Sequence, residues 1–177
     1  ALLLASFLYG MPFFLRYAGD TAPRGRGWAR RTLEDVARAA GFRYRELLVW
    51  NTGQQMSNAA IVGFSARTRL VFFSDLLLQQ LGPRELAAVF AHEMGHARRA
   101  HAAVFGAFAL GFFLGAEQLV EHLEIESPLW GGAILVSVVG LWYLAFGYLS
   151  RRFELEADLE SLRVVGESGS LIRALEL

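Results

Sequence analysis

Two histidines four residues apart, with a glutamate beside the first, stand in the run Ala91-His92-Glu93-Met94-Gly95-His96. On a helix, residues at i and i+4 lie above one another, so His92 and His96 can present two imidazoles to one metal ion. Glu93 is about 100° round from His92, near enough to the same cleft to hold a water bound to that metal. Two nitrogen ligands, an open position for water and a carboxylate to take its proton are the parts needed for zinc-assisted amide hydrolysis.

Catalytic zinc takes a third protein ligand. The chain has no cysteine, and its only other histidines are His101 and His122. On a continuous helix His101 would be turned about 140° from the ligand face, so it reads as a helix-end residue. His122 falls in an acidic loop after a long apolar run. A carboxylate is therefore the expected third ligand. The run Ser150-Arg151-Arg152-Phe153-Glu154-Leu155-Glu156-Ala157-Asp158 offers Glu154 and Glu156. Glu154 and Asp158 share a helix face, so Glu154 could bind metal while Asp158 orients a ligand histidine from behind. Glu156 points elsewhere. The same charges would also make an ordinary solvated helix surface.

The stretch Glu85-Leu86-Ala87-Ala88-Val89-Phe90-Ala91-His92-Glu93-Met94-Gly95-His96, with His101 following, resembles the zinc helix of membrane metallopeptidases of the HtpX kind. These are of gluzincin type, and their relatives include the CAAX prenyl-protein proteases. The run from Ser150 to Asp158 resembles that family's second motif, Ser-Arg followed by Glu-x-x-Ala-Asp. Ser57-Asn58-Ala59-Ala60 before Val62-Gly63 is similar to the family's Asn-Ala strand. The resemblance covers roughly residues 45–165.

It implies one zinc per chain on His92, His96 and Glu154, with Glu93 as the catalytic base and Asp158 supporting the site without touching the metal. It also implies a mainly α fold with a small β-sheet, a zincin-like catalytic lobe joined to membrane-spanning helices. The expected substrate is a protein or peptide, either a misfolded membrane protein or a specific peptide such as a prenylated C-terminus. Asn58 and Ala59 lie on the strand expected to pair with an extended substrate. Related soluble zinc peptidases place a His or Tyr on a later segment to stabilise the oxyanion. No His follows His122 here, and Arg163 is the candidate.

The chain is 54% hydrophobic with a mean hydropathy of +0.34, high for a soluble domain. Residues 127–150 are uncharged over 24 positions, long enough to cross a hydrocarbon core of about 30 Å as a helix. Residues 102–116 are also uncharged and are expected to continue the zinc helix towards Val120. Residues 1–15 carry no charge. Lacking an initiator Met and a basic start, they read as the tail of a membrane span rather than a signal peptide. At the other end, Glu176-Leu177 reads as the interior of a helix, so further chain is expected beyond it.

All seventeen basic residues are arginines, and none lies between residues 121 and 126, which hold three glutamates and His122. Arginines flank the other ends of the apolar stretches. The positive-inside rule then makes this an integral membrane protein with both zinc motifs facing the cytoplasm, and the lack of cysteine is compatible with that compartment. A formal net charge of zero gives no reason to expect nucleic acid. The arginines at 24–31 are better matched to topology or anionic lipid.

The expected order is an N-terminal membrane segment (1–18), a cytoplasmic zincin-like lobe with the zinc helix (19–101), a transmembrane hairpin (102–150) and a C-terminal zinc-ligand helix (151–177). Within the lobe, the pattern predicts a helix capped by Thr32 and stopped at Gly41, and strands at 47–50, 59–62 and 68–73. A helix follows from Ser74 to Leu81, and the zinc helix starts near Pro83. Two other readings fit parts of the pattern. One is a catalytically idle membrane scaffold with a structural zinc, which would have no use for Glu93. The other is a soluble metallopeptidase domain with the apolar segments as its core.

Overall fold

The computed structural model describes residues 21–22, 27–123, 127–166 and 169–175. The N-terminal segment 1–18 and residues 124–126 of the acidic connector lie outside them. The chain divides into two compact units, one up to Arg99 together with the stretch from Glu156 onwards, the other Ala100–Leu155. The fold is mainly helical with a small sheet.

In the first unit the strands β1 (Thr21–Ala22), β2 (Glu46–Trp50), β3 (Ala59–Val62) and β4 (Leu70–Ser74) form one sheet in the order β1-β2-β4-β3. β2 and β4 run parallel, from Glu46 opposite Leu70 to Trp50 opposite Ser74. β3 is antiparallel to β4, with Ala59 opposite Phe73 and Val62 opposite Leu70. β4 is buried at all five positions, as its run of Leu, Val and Phe requires. β3 has a neighbour on one side only among the described residues.

Helices α1 (Gly27–Ala39), α2 (Leu77–Gln80) and α3 (Pro83–Arg98) follow the chain around this sheet. α1 buries Ala29, Leu33 and Ala37, a stripe at i, i+4 and i+8. That stripe extends a turn before Thr32, and so the helix begins at Gly27 instead of at the expected Thr32 cap. Its end is as expected, with Gly41 at φ 62°. The core gathers on Phe90 of α3, whose ring meets Phe42, Tyr44 and Phe73 edge-on at 6.1, 6.2 and 6.1 Å.

The helix expected from Ser74 is shorter than the pattern suggested. Ser74 stays in β4, and its hydroxyl accepts the Asn58 and Leu77 N–H groups at 2.9 and 3.3 Å. Asp75 then accepts the Thr52 hydroxyl at 2.6 Å and the backbone N–H groups of Thr52 and Gln54 at 3.0 Å each. The Thr52 hydroxyl, chiefly, holds the Asp75 carboxyl down at about 2.

The second unit contains α4 (His101–His122) and most of α5 (Pro128–Val165). The zinc helix does not continue into the apolar stretch. It ends at Arg98, and Ala100 adopts a left-handed conformation (φ 53°, ψ 38°) before α4 begins at His101. His101 is therefore the first residue of a new helix, 3% exposed, with its ring stacked on Phe153 at 4.0 Å. His122 closes α4 rather than sitting in a loop.

α4 and α5 pair through aromatic rings, with Phe105 against Phe146 at 4.9 Å and Trp142 against Phe108 and Phe112 at 5.4 and 5.1 Å. Their outer faces are apolar and bare, with Leu129, Val136 and Tyr143 exposed by 81, 73 and 79%. Both helices are long and apolar enough to cross a membrane, and none of their apolar windows is buried in protein. A soluble domain would bury such surface in its core. α5 spans 38 residues and carries both the apolar stretch and the second charged motif.

Candidate metal centre

The zinc-helix motif lies on α3, the second motif on α5, and the two helices are zipped antiparallel within the first unit. From one end, the Ser161 hydroxyl donates to the Ala88 carbonyl at 2.9 Å. Next, His92 Nδ1 meets Asp158 Oδ1 at 2.9 Å. Gly95 then packs on Ala157 so closely that an added Cβ would stand 2.8 Å from the Ala157 Cα. At the far end, Arg99 pairs with Glu156 at 3.1 Å. Only a residue without a side chain at 95, facing a small one at 157, lets the helix backbones approach this far.

The histidine pair has the geometry of two ligands to one ion. His92 Nε2 and His96 Nε2 are 3.1 Å apart. Two nitrogens each about 2.0–2.1 Å from a tetrahedral zinc would stand about 3.3 Å from one another. A carboxylate only accepts, so the proton on His92 sits at Nδ1, facing Asp158, and Nε2 presents its lone pair. His92, His96 and Glu154 each offer a ligand atom, all within 4.8 Å of one another. Glu154 owes its place to the continuous helix, one turn before Asp158. Two neutral imidazoles and a carboxylate suit zinc.

Of the residues singled out in the sequence, His92, His96, Glu154 and Asp158 are thus brought together, and Glu93 follows His92 on α3, half-buried. Glu156 turns away to Arg99. Arg163 does not join the cluster. It lies five residues past Asp158, about 140° round the helix, and borders a recess of about 400 Å³ with Ala39, Ala40, Arg98 and Glu160. Asn58 precedes β3, and its side chain accepts the Ala59 N–H at 2.8 Å. Gly95, Ala157 and Ser161, which set the helix approach, were not singled out. Gly95 and Ala157 are small residues inside the two charged motifs, and Ser161 lies three residues past the second.

Asp158→Asn is expected to lower activity by roughly 10–100-fold, the usual cost of losing a partner that holds a ligand histidine. Zinc in excess should still bind. Turnover measured at saturating zinc checks this, and full activity would make Asp158 an ordinary polar neighbour.

Residues 23–176 match the profile of Peptidase family M48. Protease HtpX of Ectopseudomonas mendocina is 28% identical over 188 residues, covering 88% of this chain and 59% of the relative. Protease HtpX of Chromohalobacter salexigens is 30% identical over 166 residues, covering 84% and 54%. The crystal structure of S. mikatae Ste24p shares the fold with a TM-score of 0.73 at 19% identity, over 98% of this chain and 48% of that one. The chain spans a little over half the length of these curated relatives.

Proposed function

The chain belongs to peptidase family M48, and from that premise we propose that it is a membrane-bound zinc endopeptidase whose catalytic centre faces the cytoplasm. The observation that carries this is the pair of Nε2 atoms 3.1 Å apart with Asp158 behind His92. His92, His96 and Glu154 hold the metal, one per chain. Bound there, zinc lowers the pKa of its water towards about 7 and polarises the scissile carbonyl. Glu93 takes the proton from the attacking water and hands it to the leaving amine. Asp158 keeps His92 in the tautomer that presents Nε2 inward and raises its basicity as a ligand.

The outer edge of β3 accepts an extended substrate by strand addition. The Ala59 N–H is already taken by the Asn58 side chain, so a peptide pairing at Ala59 displaces that bond. The substrate is a protein or peptide, and removal of damaged membrane proteins is the physiological role that fits a catalytic lobe continuous with membrane helices. The chain purified in detergent should cleave casein, lose that activity to a chelator and regain it with Zn²⁺. Cleavage that survives complete metal removal would sink the proposal.

Membrane insertion rests on the bare apolar faces of α4 and α5, and orientation on charge. Arginines flank α3 and follow the apolar part of α5, whereas the connector at 121–126 has none. A cysteine placed by Glu124→Cys in this cysteine-free chain should react with an impermeant reagent in intact cells. Labelling only after permeabilisation would reverse the orientation.

A further inference from the structure

We propose that Glu160 and Arg98 are positioning residues of the metal centre, their ion pair fixing the turn of α3 that carries His96 against the turn of α5 that carries Asp158. This rests on the metal-site reading above. Arg98 lies two residues past His96, and Glu160 two past Asp158. The Glu160 side chain is 10% exposed, with one carboxylate oxygen on Arg98 Nη1. Arg98 Nη2 donates to the Ala40 carbonyl just past α1. Its guanidinium also stands 5.9 Å from the centre of the Phe42 ring. Arg98 is thereby held from three directions, and it holds Glu160 in turn. Arg163 is 4.0 Å from the other carboxylate oxygen and 68% exposed, a poor substitute.

The pair matters for register more than for stability. An ion pair whose carboxylate is buried while its arginine side chain is 36% exposed gains little stability, whereas its direction is specific. The contact between Gly95 and Ala157 is small and smooth, and a Cβ on Gly95 would lie only 3.1 Å from the Glu160 Cβ. Such a surface resists separation of the helices but not sliding along them. The 2.9 Å bond from His92 to Asp158 fails after a slip of about 1 Å, and the same slip carries Glu154 with it because α5 is continuous. Ser161 on the Ala88 carbonyl pins one end of the seam. Arg98 reaches back along the seam to Glu160, tying the turn of α3 just past His96 to the turn of α5 that carries Asp158.

The test compares the detergent-purified chain with the double variant Arg98→Met, Glu160→Met, which keeps apolar bulk and removes direction. Zinc affinity by dye competition, the ligand-field spectrum of bound Co²⁺ and the thermal midpoint of the metal-free protein are read together. The expected result is zinc affinity weakened by about tenfold or more, with an altered cobalt spectrum and a nearly unchanged midpoint. A lower midpoint with unchanged affinity and spectrum would show a merely structural pair and overturn the proposal. If the double variant does not fold, Glu160→Gln keeps the shape and removes only the charge. A several-fold loss of affinity there supports the proposal, and none overturns it. Failure of the unsubstituted chain to bind zinc would overturn the metal-site reading and this proposal together, and is seen before any substitution is made.

Discussion

Glu93→Gln should lower the rate of peptide cleavage by about 10²–10⁴-fold, the range that a positioned proton-transfer group contributes, while zinc stays bound. The substitution keeps the length and shape of the side chain and its place on α3 beside His92, and removes only the ability to take a proton. None of the three proposed ligands is altered, so metal content should remain at one per chain. The measurement is kcat on casein alongside zinc content of the same sample. Loss of zinc together with activity would mean that residue 93 binds the metal rather than the water's proton. Unchanged kcat would remove Glu93 as the base, whereas absence of cleavage by the unsubstituted, zinc-bound chain would favour a membrane scaffold with a structural zinc.

The parts of this centre legible in the sequence are those that depend on local periodicity. His92 and His96 face one way because 3.6 residues make a turn, whatever packs around them. The same spacing ties Glu154 to Asp158. What the periodicity could not show is the break after Arg98. The run from Arg98 to Ala103 holds no Gly or Pro, so a continuing helix was the natural reading. Ala100 nevertheless takes a left-handed conformation that costs an alanine roughly 1–2 kcal/mol, a cost that tertiary contacts must offset. Burial of His101 against Phe153 is one such contact, and no local pattern announces it. The early start of α1 failed for a related reason. Thr32 is a good cap by type, but the stripe of Ala29, Leu33 and Ala37 packs as a unit, and tertiary burial outweighs a single cap.

The closeness of α3 and α5 belongs to the same class. A glycine between two motif histidines signals nothing by itself. Its meaning appears only once Ala157 is seen on the facing helix, where a Cβ on Gly95 has no room. The bond between Ser161 and Ala88 spans 73 positions of sequence. Such pairings follow from the docking of the two helices, which spacing within either motif leaves undetermined.

The choice between the two glutamates of the second motif gives the other large expected effect. Glu154→Ala should weaken zinc binding beyond the roughly 10–100-fold that loss of a supporting partner costs, because it removes a ligand outright. Glu156→Ala should leave zinc binding unchanged. The two residues are adjacent in composition but sit about 200° apart on α5. Glu154 offers a carboxylate oxygen within 4.8 Å of the histidine nitrogens, whereas Glu156 pairs with Arg99 at 3.1 Å. An ion pair whose side chains are 40 and 25% exposed is worth at most about 1 kcal/mol of stability, and its loss does not reach the metal. Zinc retained after dialysis against a weak chelator, measured on both variants and on the unsubstituted chain, separates the roles. Equal losses in the two would assign the ligand wrongly, and loss in Glu156→Ala alone would mean that α5 turns its other face to the histidines when metal binds. The bond from His92 to Asp158 argues against such a turn, because it commits the face that carries Glu154.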